Sequence, residues 1–167
     1  TLDHFLPKAH YPAYAVTPIN LVACCSDCNK AKSDGVPERQ EDVPLHPYFN
    51  DIQNVRWLYA RVNSTSPASV AFFVAPAPEW DECIAKRVER QFKTLGLAKL
   101  YTAQCAQQIT SIRGFLDSLL SRGGHIKVHK YLKEMSKSYA MVHTNSWQTA
   151  AYEAFADSEW FCRGGFR

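Results

Sequence analysis

Three short stretches decide how this chain is read: DHFLPK at residues 3–8, PINLV at 18–22 and CSDCNKAK at 25–32. They put a carboxylate (Asp3) beside an imidazole (His4). An asparagine (Asn20) follows sixteen residues after the histidine, and a second (Asn29) nine residues later, directly after the Cys25-x-x-Cys28 pair. Phosphodiester hydrolysis asks for such a set. It needs an activated water, neutralised phosphate charge and a stabilised leaving oxygen, and a divalent cation serves the last two as a Lewis acid. A neutral histidine serves the first, because its pKa lies near working pH. Mg²⁺ takes few oxygen ligands from protein and keeps several waters, a demand that Asp3 and the amide oxygen of Asn29 meet. If Asp3 and His4 share a strand, their side chains emerge on opposite faces, one to the ion and one to the substrate. Asn20 suits a hydrogen-bonding role that fixes the loop and orients His4.

The rest of the chain bounds this reading. The 167 residues make one ordinary domain, or a small domain with an appendage, and 46% are hydrophobic, enough for a core. The net charge of +3 says little about partners. No apolar run approaches the ~20 residues that cross a bilayer, and no charged segment followed by an apolar one opens the chain. The expectation is a cytoplasmic protein with no membrane association, its six cysteines reduced. The chain lacks an initiating Met, which suggests N-terminal processing or missing earlier residues.

Residues 1–50 are rich in Pro, Cys, His and Asn and read as a loop-rich head. A segment at 51–78 reads as a β-hairpin connector: Val55 to Val62 and Ser69 to Ala75 are β-like around an NSTSP turn, closed by Pro76 and Pro78. Residues 79–167 read as a helical module. Ile84, Val88, Phe92 and Leu95 recur at helical spacing. A second helix from Leu97 ends at Gly123-Gly124, a third runs from about His125 to Val142, and Asn145 is the expected N-cap of a fourth reaching Ala156. The expected fold class is α+β.

The combination DHFLPK, NLV and CxxCNxxK resembles the HNH nucleases, the ββα-metal or His-Me finger class, over about residues 2–32, with HPYF at 46–49 as an extension. The resemblance implies a ββα-metal head around one catalytic Mg²⁺ (or Mn²⁺), held by Asp3 and Asn29. It implies His4 as general base, Asn20 as the structural polar residue of the catalytic set, and products with a 5′-phosphate and a 3′-hydroxyl. DNA is the substrate the class favours, with RNA not excluded. Similarity to HNH subunits of bacterial antiphage defence loci, of the Septu and retron-associated kind, implies an effector role beside an ATPase or other defence partner, with the helical tail as the docking module.

Cys25 and Cys28 have the knuckle spacing of a structural Zn²⁺ site but make only half of one. The other half lies in an upstream pair, or comes from local residues such as Cys24 or His10, or the site holds no zinc. Lys8, Lys30 and Lys32 flank the site as candidate phosphate contacts. His46 reads either as a further nucleic-acid contact or as a loop anchor. Lys127, Lys130, Lys133 and Lys137 share one face of the third helix, as a DNA-facing stripe or a solvated face, and Arg87, Arg90 and Lys93 on the first admit the same two readings. No sequence-reading module is visible. The leading expectation is a metal-dependent endonuclease. The alternative is a noncatalytic, zinc-stabilised nucleic-acid-binding or scaffold domain.

Overall fold

In the computed structural model, which describes all of residues 1–167, the head opens on two three-residue strands. β1 (Leu2–His4) and β2 (Leu21–Ala23) run antiparallel, Asp3 opposite Val22 and His4 opposite Leu21. Between them the chain makes two single helical turns, Pro12–Tyr14 and Pro18–Asn20. Each starts on a proline, whose fixed φ suits a first helical position and whose missing N–H would be unpaired there anyway. Helix α1 (Ser26–Lys32) follows β2 directly. Cys25 caps it, its Sγ accepting from the Cys28 N–H at 3.3 Å, and Ser33 at φ +59° ends it.

The chain divides into two compact units that interleave in sequence: residues 1–52 with 78–97, and residues 53–77 with 98–167. The first unit therefore takes in helix α2 (Glu82–Thr94), which the sequence reading grouped with the helical tail. The reason is polar and long-range. Arg87 donates to the carbonyls of Val43 (2.8 Å) and Pro44 (2.7 Å) and to Asn50 Oδ1 (3.2 Å), while Gln91 Oε1 accepts from the Leu45 N–H at 2.7 Å. Lys86 pairs with Glu41 and Arg90 with Asp42. Asp81 caps the helix, accepting from the Ile84 N–H at 2.8 Å.

The second unit holds the expected hairpin, β3 (Leu58–Asn63) on β4 (Ser69–Val74), paired from Leu58 opposite Val74 to Asn63 opposite Ser69. Helix α3 (Leu97–Val142) is broken at Gly123 and Gly124. Gly124 sits at φ +68°, a conformation that costs an L side chain about 1 kcal/mol or more, so the glycine pair is where the helix ends and restarts. Helix α4 (Trp147–Asp157) packs on β3. Its cap is Ser146, whose Oγ accepts from the Thr149 N–H at 3.0 Å; the expected Asn145 is otherwise engaged. Asn145 Oδ1 accepts from the N–H groups of Trp57 (2.9 Å) and Leu58 (3.2 Å), and its Nδ2 donates to the Val55 carbonyl at 2.7 Å. A short-range rule lost here to a tertiary demand: three backbone groups at the entry to β3 need partners.

The core of this unit is aromatic and aliphatic. Leu58, Leu116, Val128, Leu132, Phe155 and Phe161 are fully buried, and Phe155 stacks on Phe161 with ring centroids 4.4 Å apart. The fold is α+β, helices with two small antiparallel sheets. No helix is long and apolar enough to cross a membrane.

Candidate active site in the head

Asn20 is 4% exposed and uses its whole amide as a staple. Its Oδ1 accepts from the Leu6 N–H at 2.6 Å, and its Nδ2 donates to the carbonyls of Leu6 (3.2 Å) and Tyr14 (3.1 Å). Its own carbonyl accepts from the Phe5 N–H at 2.8 Å. The excursion between the two strands is thereby closed onto the end of β1, where His4 stands.

His4 lies at hydrogen-bond distance from the Ala15 carbonyl through Nε2, 3.0 Å. A carbonyl has no proton to give, so the ring nitrogen must donate. The neutral imidazole then carries its lone pair on Nδ1, free to accept a proton. His46 has the same tautomer and none of that freedom. Its Nε2 donates to the Ile19 carbonyl at 3.1 Å, and its Nδ1 accepts from the Tyr48 N–H at 3.2 Å. The ring is 7% exposed, packed against Phe5 (4.4 Å) and Phe49 (4.5 Å). Of its two sequence readings, this arrangement is that of the loop anchor. With both nitrogens used inside, His46 anchors the HPYF loop.

Lys32, read in the sequence as a candidate phosphate contact, is engaged inside the head. Its ammonium turns inward, 3.0 Å from Asp3 Oδ2 and 2.5 Å from the His4 carbonyl, and its side chain is 17% exposed. It thus links the end of α1 to β1, while Lys8 and Lys30 remain exposed. Asn29 lies one turn before Lys32, on the same helix face, and is half-buried. Lys32 joins Asp3 by an ion pair and the His4 carbonyl by a hydrogen bond. Arg87 and Arg90 are spent on the 42–50 segment. In the lysine face of α3, Lys133 pairs with Asp157 and Lys137 with Glu134.

The donors of the head suit a hard cation in kind. They are one carboxylate and one amide oxygen, on two elements tied together by Lys32. For a structural zinc, Cys25 and Cys28 supply two of the ligands. No three His, Cys, Asp or Glu side chains gather anywhere in the chain, and a structural zinc needs four nitrogen or sulfur ligands. Cys25 and Cys28 differ in chemistry. The backbone N–H of Cys28 holds the exposed Cys25 thiol below its ordinary pKa, whereas burial pushes Cys28 up to about 12. Burial also raises Cys24, with the Asp3 charge adding to it.

The chain is similar to protein ea31 of Escherichia phage lambda, with 30% identity over 182 aligned positions. The match covers 98% of this chain and 60% of that protein, so the chain spans about three-fifths of the length of the curated relative it matches. No family model and no solved structure matches.

Proposed function

We propose that the chain is an HNH-type endonuclease that hydrolyses DNA phosphodiester bonds with one Mg²⁺ or Mn²⁺. The observation that carries the reading is the state of His4. Its Nε2 is tied to a backbone carbonyl and its Nδ1 lone pair is left over, next in sequence to the one carboxylate of the motif. The cation would be held by Asp3 and Asn29, and when bound it neutralises the phosphate and the leaving oxygen. His4 takes the proton of the attacking water at Nδ1, the Ala15 carbonyl stabilising the imidazolium that results. Asn20 keeps the loop, and with it the His4 ring, in one place. Lys8 and Lys30 hold the strand by phosphate contacts without reading its sequence. Use of the helical tail, residues 79–167, as the docking module for an ATPase or other partner belongs to the same proposal, and rests on the sequence resemblance alone.

The test is plasmid cleavage in Mg²⁺ or Mn²⁺, wild type against His4→Ala, with an RNA substrate in parallel. Loss of the base lowers the rate by about 100-fold or more. Stability changes by only about 1 kcal/mol, the worth of one hydrogen bond. Equal nicking by both folded proteins, or none by either, favours the noncatalytic scaffold. One observation speaks for that second reading: the Asp3 carboxylate is already ion-paired inside the protein.

A further inference from the structure

We infer that Lys32 is a built-in competitor for the divalent cation: its ammonium holds the Asp3 carboxylate while the ion is absent and releases it when the ion binds. The inference rests on the proposed cation site and assigns to Lys32 the setting of its affinity.

The geometry is specific. The Lys32 nitrogen stands 3.0 Å from Asp3 Oδ2, a close ion pair. The two side chains are 17% and 13% exposed, so water screens the pair poorly and parting it is not free. A second charge is not needed to keep the ammonium in place, because the same nitrogen also donates to the His4 carbonyl at 2.5 Å. That oxygen is a backbone group and stays available whatever Asp3 does. When a divalent ion takes the carboxylate, Lys32 keeps its hold on His4. It also stays as a positive charge close to the ion. Both effects, the ion pair given up and the repulsion that follows, oppose binding. A lysine placed only to brace the strand against the helix would have the opposite signature: removing it would loosen Asp3 and weaken the ion's grip.

Direct Mn²⁺ binding separates the cases, measured by the electron paramagnetic resonance signal of the free ion in titrations of the whole chain without nucleic acid. The proteins are wild type, Lys32→Met, Lys32→Gln, Lys32→Arg and Asp3→Asn, each checked for folding by circular dichroism. Lys32→Met is expected to bind Mn²⁺ on the order of tenfold more tightly, the worth of one partly buried ion pair that no longer has to be broken. Lys32→Gln retains a donor for the His4 carbonyl and is expected to tighten binding equally; it decides the matter should the Met variant not fold. Lys32→Arg keeps the charge and stays within about threefold of wild type. Asp3→Asn loses binding. If wild type binds and Asp3→Asn does not, while the neutral variants bind no better than wild type, Lys32 is a brace and the inference is overturned with the cation site intact. If neither wild type nor the neutral variants bind, the cation site itself is wrong and the inference goes with it.

Discussion

The two units of this chain are held together by different physics. Among the buried apolar side chains, only Pro7, Leu45 and Val88 belong to the unit made from residues 1–52 and 78–97; the rest lie in the hairpin–helix unit. The head compensates with polar staples, of which the buried Asn20 and His46 and the half-buried Arg87 are the main ones. Small units with little apolar surface to bury need such fixings. The comparison teaches what each kind of interior is suited to. Hydrophobic burial is non-directional and yields bulk stability. Hydrogen bonds are directional, and a site that must hold an imidazole ring within a fraction of an ångström of one pose is better served by them.

That contrast can be broken most forcefully from the hairpin–helix side. Phe155→Ala removes a fully buried ring stacked on Phe161 and is expected to cost about 3–5 kcal/mol, read from the denaturant midpoint. A loss under about 1 kcal/mol would mean that the aromatic cluster is not the stabilising core. A smaller effect is expected in the head. Asn20→Ala leaves the Leu6 N–H and two carbonyls without their partner and should cost about 1–3 kcal/mol. The sharper measurement there is hydrogen exchange. The Leu6 amide should lose its protection, while the amides of β3 and β4 keep theirs. Uniform loss across both units would show that they unfold as one.

The mildest probe leaves stability alone and reads the thiols. Only ionised cysteine reacts with iodoacetamide. Cys25, held below its ordinary range, should be labelled first as pH is raised from 6 to 9 (approximate limits set by thiol chemistry). Burial keeps Cys28 protonated to about 12, and it should lag. Burial likewise raises Cys105 to about 12 and Cys162 to about 11, and both should react only after denaturant opens their unit. Mass spectrometry of the labelled peptides gives the order. Early labelling of Cys105 would contradict the description of that core.

Much of this architecture is written locally. The alternation of Leu58 to Val62, the NSTSP turn and the Gly123-Gly124 break each state their structure within a few residues, because pleat, turn and helix periods are short-range properties. The adjacency of Asp3 and His4 on one strand was legible for the same reason. What escaped was set by partners far along the chain. Lys32 reads as one more basic residue near a basic site, and nothing nearby in sequence says that it turns toward Asp3, 29 positions earlier. Arg87 and Gln91 look like the polar face of an amphipathic helix until the bare carbonyls and amides of 43–45 are set against them. His46 carried one recoverable signal. A histidine between leucine and proline, with Tyr48 and Phe49 just beyond, sits in more apolar company than a phosphate contact would choose.

The order in which the units draw on the chain has a consequence for how the protein is made. A nascent chain that has emerged as far as residue 52 has both short strands and α1, but not the helix whose Arg87 and Gln91 fasten its last loop. Those residues leave the ribosome only after the whole hairpin has passed. The head thus stays unfinished until helix α2 has emerged, and a fragment cut at residue 52 would inherit that unfinished state permanently.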